Sequence, residues 1–344
     1  MFFKYTIKFF KILLIIYLVF ILGYFSVAIF NRKVDNTFRL EVGNYKKNPI
    51  WMPDKNDTII DEIYATAETD GALSTAYNMY LAACKKLMLT KDYGIRATGL
   101  VDVSASNLKI DVITNRTEQY HVVNEPVLNA NQKVLSSYTN TIYVTEVSDK
   151  ALSSILIAAI QFADRGFADG TNYYKQKGKL ERMDEQGENV VWKTDYSTEK
   201  PPLRTYNDSD IREKCNFVIT LDTIVADSVK IEREYDETYN SYLYHVSMDL
   251  DCTSHEEGSA TYYESKAIKD LLGSNMKSLV YSQMKVDFTI YSNGYFITWN
   301  TVQEWTLEYS LSFLGSLSGT ALNRKSEVFS YDKRECAVMD FTAN

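Results

Sequence analysis

The residues best suited to acid–base catalysis or zinc binding are three histidines that lie far apart in the sequence. They are His121, His245 and His255. No His-Glu-x-x-His motif brings two imidazoles onto one helix face, as a helical zinc pair requires. His255 is followed by Glu256 and Glu257, and we interpret this acidic stretch as a solvated loop rather than a cation site. The sequence therefore predicts no metal site and no catalytic histidine.

Motifs that expose a nucleophile or hold a nucleotide depend on glycines at fixed positions. The chain has 14 glycines, but none of them belongs to the Gly-x-Ser-x-Gly turn that exposes a serine nucleophile. No P-loop and no Gly-x-Gly-x-x-Gly pattern is present to hold phosphates. We therefore predict that the protein has no cofactor and is not an enzyme.

Paired carboxylates and grouped aromatic rings are two weaker signals. Asp249 and Asp251 stand two apart, and glycoside cleavage needs two carboxylates about 5 to 9 Å apart. Any such pair on a strand meets that distance, so the spacing does not identify a site. Trp299, Trp305 and Tyr309 share one face of a predicted strand. They either pack in the core or form a ligand shelf, meaning an open row of rings for acyl chains or sugars.

The elements that position these residues follow from apolar periodicity. Apolar residues at helical spacing predict helices over about Ala72–Thr90, Asp149–Ala163 and Ala260–Leu272. Period-two alternation predicts long strands between them, including a hairpin whose loop is Ser104 to Asn107. Asn293-Gly294 between two alternating segments is the strongest hairpin signal in the chain.

These elements predict an α+β fold with two antiparallel-sheet units, each with helices packed on one face. The predicted organisation is a cytoplasmic tip and transmembrane signal anchor (1–33), a stalk (34–55), a first unit (56–200) and a second unit (201–344). Pro201-Pro202 supports the boundary, because proline fits neither a central strand nor a helix interior. Whether the two units are a true repeat stays open.

A membrane anchor is predicted at the N-terminus. Ile12 to Phe30 carries no charge and, as a helix of about 1.5 Å per residue, would nearly span the hydrocarbon core of a bilayer. Three lysines precede the run, which favours a cytoplasmic N-terminus and an extracytoplasmic body at the cell membrane. The alternative is a cleaved signal peptide, because Ser26-Val27-Ala28 has the small-x-small pattern of a cleavage site.

Composition limits the partners. After the apolar run, the chain carries 45 acidic and 34 basic side chains, and this negative charge disfavours nucleic acid. The predicted partners are the membrane bilayer and either an envelope protein or an apolar ligand. The four cysteines, Cys84, Cys215, Cys252 and Cys336, are too widely spaced for zinc, and a Cys252–Cys336 disulfide is one option.

The second half resembles a group of uncharacterised, membrane-anchored or lipoprotein-like extracytoplasmic proteins of clostridial-type bacteria. The matching stretches are Tyr244 to Asp249, Ala260 to Tyr263, Val286 to Ile290 and Glu327 to Asp332. The architecture also resembles lipoprotein-carrier domains, in which a half-barrel holds an acyl chain. The resemblance implies a strand framework, and the group has no assigned activity from which a function could be expected.

Three functions are consistent with these observations. The first is a binding or interaction module of the cell envelope. The second is a carrier or sensor of a lipid-like apolar ligand in a half-barrel cavity. The third is an enzyme of an unfamiliar type, which the absence of a compact His, Cys or Ser group disfavours.

Overall fold

The computed structural model describes the greater part of the chain after residue 55. The described residues are 56–105, 108–121, 130–132, 136–147, 162–182, 189–199, 204–206, 217–237, 239–272, 276–311, 315–332 and 336–342. The predicted anchor from Ile12 to Phe30, the stalk, most of the helix predicted over Asp149–Ala163, and Cys215 lie outside them.

The described α-helices are α1 (Ile59–Ala65), α2 (Ala67–Met88) and α3 (Tyr262–Leu272), and Ala226–Ser228 forms one short 3₁₀ helix. The helix predicted from Ala72 forms most of α2. Gly71 breaks its first turn with a φ of 79°, a left-handed conformation that glycine adopts without the steric cost of a Cβ atom.

Long strands make up most of the described structure. They are β1 (Asp92–Ala105), β2 (Leu108–His121), β3 (Ala130–Gln132), β4 (Ser136–Val147), β5 (Phe162–Ala168), β6 (Tyr173–Arg182), β7 (Asn189–Trp192), β8 (Ser197–Glu199), β9 (Arg204–Tyr206), β10 (Lys230–Asp236), β11 (Ser241–Asp249), β12 (Met276–Tyr291), β13 (Phe296–Leu311) and β14 (Gly315–Ser330). Phe162 and Ala163 begin β5, although the sequence pattern placed them at the end of a helix.

One continuous sheet corrects the predicted fold class. Twelve strands join in the order β10-β11-β12-β13-β14-β1-β2-β4-β5-β6-β7, with β8 also paired to β6. The two predicted sheet units are therefore not separate, because β14 pairs with β1 in antiparallel register. The prediction failed here because alternation identifies a strand but not its partner when that partner is distant in sequence. The boundary between residues 200 and 201 stays a prediction.

All the described α-helices contact the same face of this sheet, which we call the helix face. The Tyr80 ring of α2 lies 5.7 Å from Trp299 on β13 and 6.3 Å from Phe288 on β12. Glu264 of α3 accepts a hydrogen bond from Gln303, which lies four residues after Trp299 in β13. The main apolar core therefore lies between these helices and β11 to β14, and it continues along the same face onto β1, β2 and β4.

The other side, the opposite face, has smaller apolar clusters toward β4 to β7. Ile142, Val144, Ala163 and Leu180 form one of them. The sheet ends at β10 on one side, where most side chains are exposed, and at the short strands β7 and β8 on the other. Among the described residues, no strand pairs with the outer edge of β10.

The hairpins confirm some local predictions and correct others. Asn293-Gly294 does lie in the connection between β12 and β13, with Gly294 at a φ of 85°. Ala105 pairs directly with Leu108, so the β1–β2 loop has two residues rather than the expected four. The predicted turn from residue 315 to residue 319 is instead the first part of β14.

Two sequence-based expectations about the envelope need correction. In the described part of the chain, no helix is long and apolar enough to cross a bilayer. This finding contradicts the predicted single-pass cell-membrane localisation, whose span from Ile12 to Phe30 lies outside the described residues. Cys84, Cys252 and Cys336 are free thiols, so the Cys252–Cys336 disulfide is not formed.

The packing of α2 on the sheet gives a first prediction. Trp299→Ala removes a fully buried ring that stacks on Phe288 at 5.6 Å. Large-to-small substitutions of buried aromatic residues lower the free energy of unfolding by about 3–5 kcal/mol. Val280→Ala, at a side chain that is 57% exposed, is the control and is expected to cost less than about 0.5 kcal/mol. Equal unfolding free energies in urea would contradict the packing described here.

Candidate functional site

The aromatic residues of the predicted ligand shelf are placed in or near the core. Trp299 and Trp305 share the helix face of β13, and their side chains are 0% and 4% exposed. Trp299 contacts Phe296 at 5.7 Å as well as the rings of α2 and β12. Tyr309 belongs to β13, but its side chain lies outside the described structure. The shelf stays a prediction.

The three histidines are placed on separate elements. His121 Nδ1 lies 2.5 Å from Asp92 Oδ1 at one end of β1 and β2. His245 Nδ1 lies 3.0 Å from Thr289 Oγ1 on the opposite face. His255 Nε2 lies 2.9 Å from the Leu279 carbonyl, so this imidazole ties the loop before α3 to β12. Within the described ranges, no group of three His, Cys, Asp or Glu residues could hold a metal ion.

A different set of side chains forms the best candidate site, and sequence reasoning did not select it. It is a continuous group of charged and amide side chains on the helix face, running from α3 across β13 and β14 to β2. We call it the polar cluster, and its members are Arg116, Glu118, Glu264, Gln303, Asn323, Lys325 and Glu327.

One half of the polar cluster is a series of alternating charges that passes over β1. Lys325 Nζ forms an ion pair with Glu327 on β14, and Arg116 forms one with Glu118 on β2. Between these strands, β1 places Ala97 directly beside Glu327 and Arg116, and Gly99 directly beside Lys325. Because these two β1 residues are so small, long side chains from both neighbouring strands have room above them.

The electrostatics of Arg116 show that the two ion pairs are coupled. Burial lowers the pKa of its guanidinium, but the negative charges of Glu118 and Glu327 outweigh that effect and hold the pKa above its ordinary value. Buried charges that are mutually paired avoid most of the desolvation cost that an isolated charge would carry. Tyr120 supports the same group, because its hydroxyl donates to Glu118 Oε2 at 2.6 Å.

The other half of the polar cluster is fully buried. Gln303 Nε2 donates to Glu264 Oε2 at 2.6 Å, and Asn323 Nδ2 donates to Gln303 Oε1 at 2.9 Å. Asn323 is only 1% exposed. Its Oδ1 atom is buried and has no hydrogen-bond partner among the described residues. Asn323 Oδ1 is one of ten buried side-chain atoms without a hydrogen-bond partner among the described residues, and it is the one that belongs to the polar cluster. Leaving a buried acceptor unsatisfied is costly, so a ligand or water that donates to it would be favoured.

The Glu264 carboxyl is perturbed by its surroundings. Burial raises its pKa to about 7, against the opposing effects of hydrogen bonds from Gln303 and Tyr281 and the charge of Lys325. A carboxyl group that titrates near neutrality on a helix inside the fold is typical of functional sites, although buried structural networks produce the same shift.

The sequence did contain a signal for this site. In β14, Asn323, Lys325 and Glu327 occupy every second position between the buried residues Ala321 and Phe329. Polar residues at inward positions of a strand contradict the usual alternation and so mark either a buried network or a binding site. This signal can be used only when it is known which alternate residues of the strand face the core.

Glu264 gives a pH prediction. Because its pKa is higher in the folded protein than the ordinary 4.5, folding is favoured most below pH 4.5, and this stabilisation is lost as pH rises through about 7. The loss amounts to about 3 kcal/mol. In Glu264→Gln this component is expected to vanish, so the difference in unfolding free energy between the two proteins should change by that amount between pH 4 and pH 8.5.

Urea unfolding at several pH values measures this difference. Glu256→Gln, at an exposed loop carboxyl, is the matched control and should follow the wild-type profile. Parallel profiles for wild type and Glu264→Gln would show that Glu264 does not titrate as described.

Comparisons with known proteins add little to this picture. No protein-family model and no curated protein matches the chain. A solved structure of a DUF1329 family protein from Desulfovibrio piger is similar over 79% of this chain and 98% of that chain, with 8% identity and a TM-score of 0.21. A likeness this low carries no argument about function. The resemblance to clostridial-type membrane-anchored proteins receives no support from these comparisons.

Proposed function

We propose that the protein is a binding protein rather than an enzyme, and that the polar cluster holds a small, uncharged, hydroxyl-rich molecule such as a sugar or polyol. The observation that carries this proposal is the Asn323 Oδ1 atom, a buried acceptor without a hydrogen-bond partner among the described residues. A ligand hydroxyl donating to this atom would remove the cost of leaving it unsatisfied.

Charge balance favours a neutral ligand. Arg116 is paired with Glu118, and Lys325 is paired with Glu327, so these two cations and two carboxylates cancel. Glu264 adds a charge only when it is ionised, and burial opposes its ionisation by raising its pKa to about 7. A charged ligand would have to compete with one of these pairs in a poorly solvated environment, where removing one partner leaves an expensive isolated charge. A neutral molecule can add hydrogen bonds without disturbing the pairs.

The hydrogen-bonding groups favour hydroxyls in particular. Arg and Lys side chains only donate, ionised Glu only accepts, and amides do both. A hydroxyl donates and accepts at the same atom, so a molecule with several hydroxyls matches this mixture better than a carbonyl compound or an amine. Val101 and Val112 lie beside Asn323 in the same cross-strand row and are both buried in the apolar core.

Exposure supports a direction of entry. The side chains of Arg116 and Lys325 are 28% and 18% exposed, whereas Asn323 is almost completely buried. The cluster is therefore open at its ionic end and closed at its amide end. Glu264, the member with the most perturbed carboxyl, hydrogen-bonds to Gln303 at the closed end. The two other carboxyl groups of the polar cluster, those of Glu118 and Glu327, are held in ion pairs. Glycoside cleavage needs a second carboxyl that is available for chemistry, so this arrangement favours binding over cleavage.

Calorimetric titration of the full chain tests the proposal. The panel contains hexoses, disaccharides and glycerol, with glutamate and lysine as charged controls and palmitate as an apolar control. We expect one or more of the hydroxylated compounds to bind and the three controls not to bind. A free ligand concentration of about a hundred times the Kd should also raise the free energy of unfolding by about 2.7 kcal/mol. Binding of palmitate alone would favour the apolar-carrier alternative, and turnover of nitrophenyl glycosides would contradict the non-catalytic assignment.

Two variants localise the site. Asn323→Ala is expected to weaken the hydroxylated ligand about 10- to 100-fold, because it removes a buried hydrogen-bonding group. Asn300→Ala is the matched control, since the Oδ1 of Asn300 is also buried and has no hydrogen-bond partner among the described residues, but it lies on the opposite face. Equal loss of affinity in both variants would place the ligand elsewhere. Circular dichroism checks that both variants fold.

A further inference from the structure

The buried half of the polar cluster is a chain of three side chains with one hydrogen-bonding direction. Gln303 Nε2 donates to Glu264, so the Oε1 of Gln303 faces Asn323 and accepts a hydrogen bond from Asn323 Nδ2. Each amide has a donor end and an acceptor end that are nearly identical in shape. The orientation of the first amide thus fixes the second, and the second fixes which atom remains for a ligand.

The present direction matches an ionised Glu264. A carboxylate only accepts hydrogen bonds, so Gln303 must present its N–H group to it. This orientation of Gln303 makes Asn323 donate through Nδ2. The remaining atom of the Asn323 amide is then Oδ1, the acceptor that has no hydrogen-bond partner among the described residues. All three residues are nearly inaccessible to solvent, so bulk water does not readily relieve a wrong orientation.

We propose that protonation of Glu264 reverses this chain and changes the group that Asn323 offers to a ligand from an acceptor to a donor. A proton from solvent forms an O–H bond on the Glu264 carboxyl, and no other covalent bond changes. The new O–H donates to Gln303 Oε1 after a half-turn of that amide. Gln303 Nε2 then donates to Asn323 Oδ1, and Asn323 Nδ2 faces the site.

The groups around Glu264 place this reversal in an accessible pH range. From β12, the Tyr281 hydroxyl donates to Glu264 Oε2 at 3.4 Å, and from β14 the Lys325 charge also favours the ionised form. Burial opposes both and raises the pKa to about 7. Burial raises the pKa of Tyr281 as well, so this hydroxyl keeps its proton throughout. His255 packs against the Tyr281 ring at 5.6 Å.

The reversal is tested directly by NMR of full-length protein labelled with ¹⁵N at Asn and Gln side chains. The signals of Gln303 and Asn323 are assigned by their loss in Gln303→Leu and Asn323→Ala. We expect both NH₂ signals to move together between pH 5.5 and 8.5 with one midpoint near 7, and to stay constant in Glu264→Gln. Signals that do not move in the wild type, or that move equally in Glu264→Gln, would overturn the proposal.

A second experiment connects the reversal to binding and rests on the proposed function. The affinity of the hexose, disaccharide or glycerol that binds in the calorimetric titration is measured at pH 5.5 and pH 8.5. Because the reversal removes the unsatisfied acceptor, the affinity is expected to be at least about tenfold weaker at pH 5.5 in the wild type and to change less than about twofold in Glu264→Gln. The two proposals fail separately. Coupled amide signals without any bound ligand would contradict only the proposed function. A pH-independent affinity with constant amide signals would contradict only the reversal.

Discussion

The pairing of β1 with β14 is the interaction on which the rest of the structure depends. Eleven residue pairs, from Gly94–Ser330 to Ser104–Thr320, join parts of the chain more than 200 positions apart. The other described pairings in the large sheet join strands that are close in sequence. Without this contact the N-terminal and C-terminal strands would form two separate meanders. The contact is costly to form, because pairing strands that are distant in sequence must overcome the entropy of closing a long loop. The polar cluster lies across this junction, with contributions from β2 on one side and from β14 on the other.

The polar cluster shows how small residues organise large ones. Ala97 and Gly99 contribute almost no side-chain volume, and this makes room for Arg116, Lys325 and Glu327 to meet above β1. A row of leucine or valine at those two positions would pack the core more simply and would need no charge compensation. Paired buried charges add little net stability compared with apolar packing, which agrees with the binding role that we propose for the polar cluster.

Local features were predictable from the sequence and long-range ones were not. The turn at Asn293-Gly294 was correctly placed because its backbone conformation requires particular residues, and α2 was found because its apolar spacing is strong. The single sheet was missed because alternation contains no information about a distant partner strand. Trp299 and Trp305 were correctly put on one face, but the burial of Trp299 depends on Tyr80 of α2. The polar cluster joins residues from four elements, and sequence spacing does not relate them.

Among the described residues, β10 ends the large sheet with no strand on its outer edge. In a continuous antiparallel sheet, residues that face each other must lie on the same side. Two copies of β10 overlapping along their whole length would therefore be centred on Arg233, which would oppose its own counterpart while Glu232 opposed Glu234. Like charges directly across such a pair are destabilising, and charged edges are a common protection against aggregation. The Arg233–Arg233 and Glu232–Glu234 pairs would therefore disfavour this register between two copies of β10.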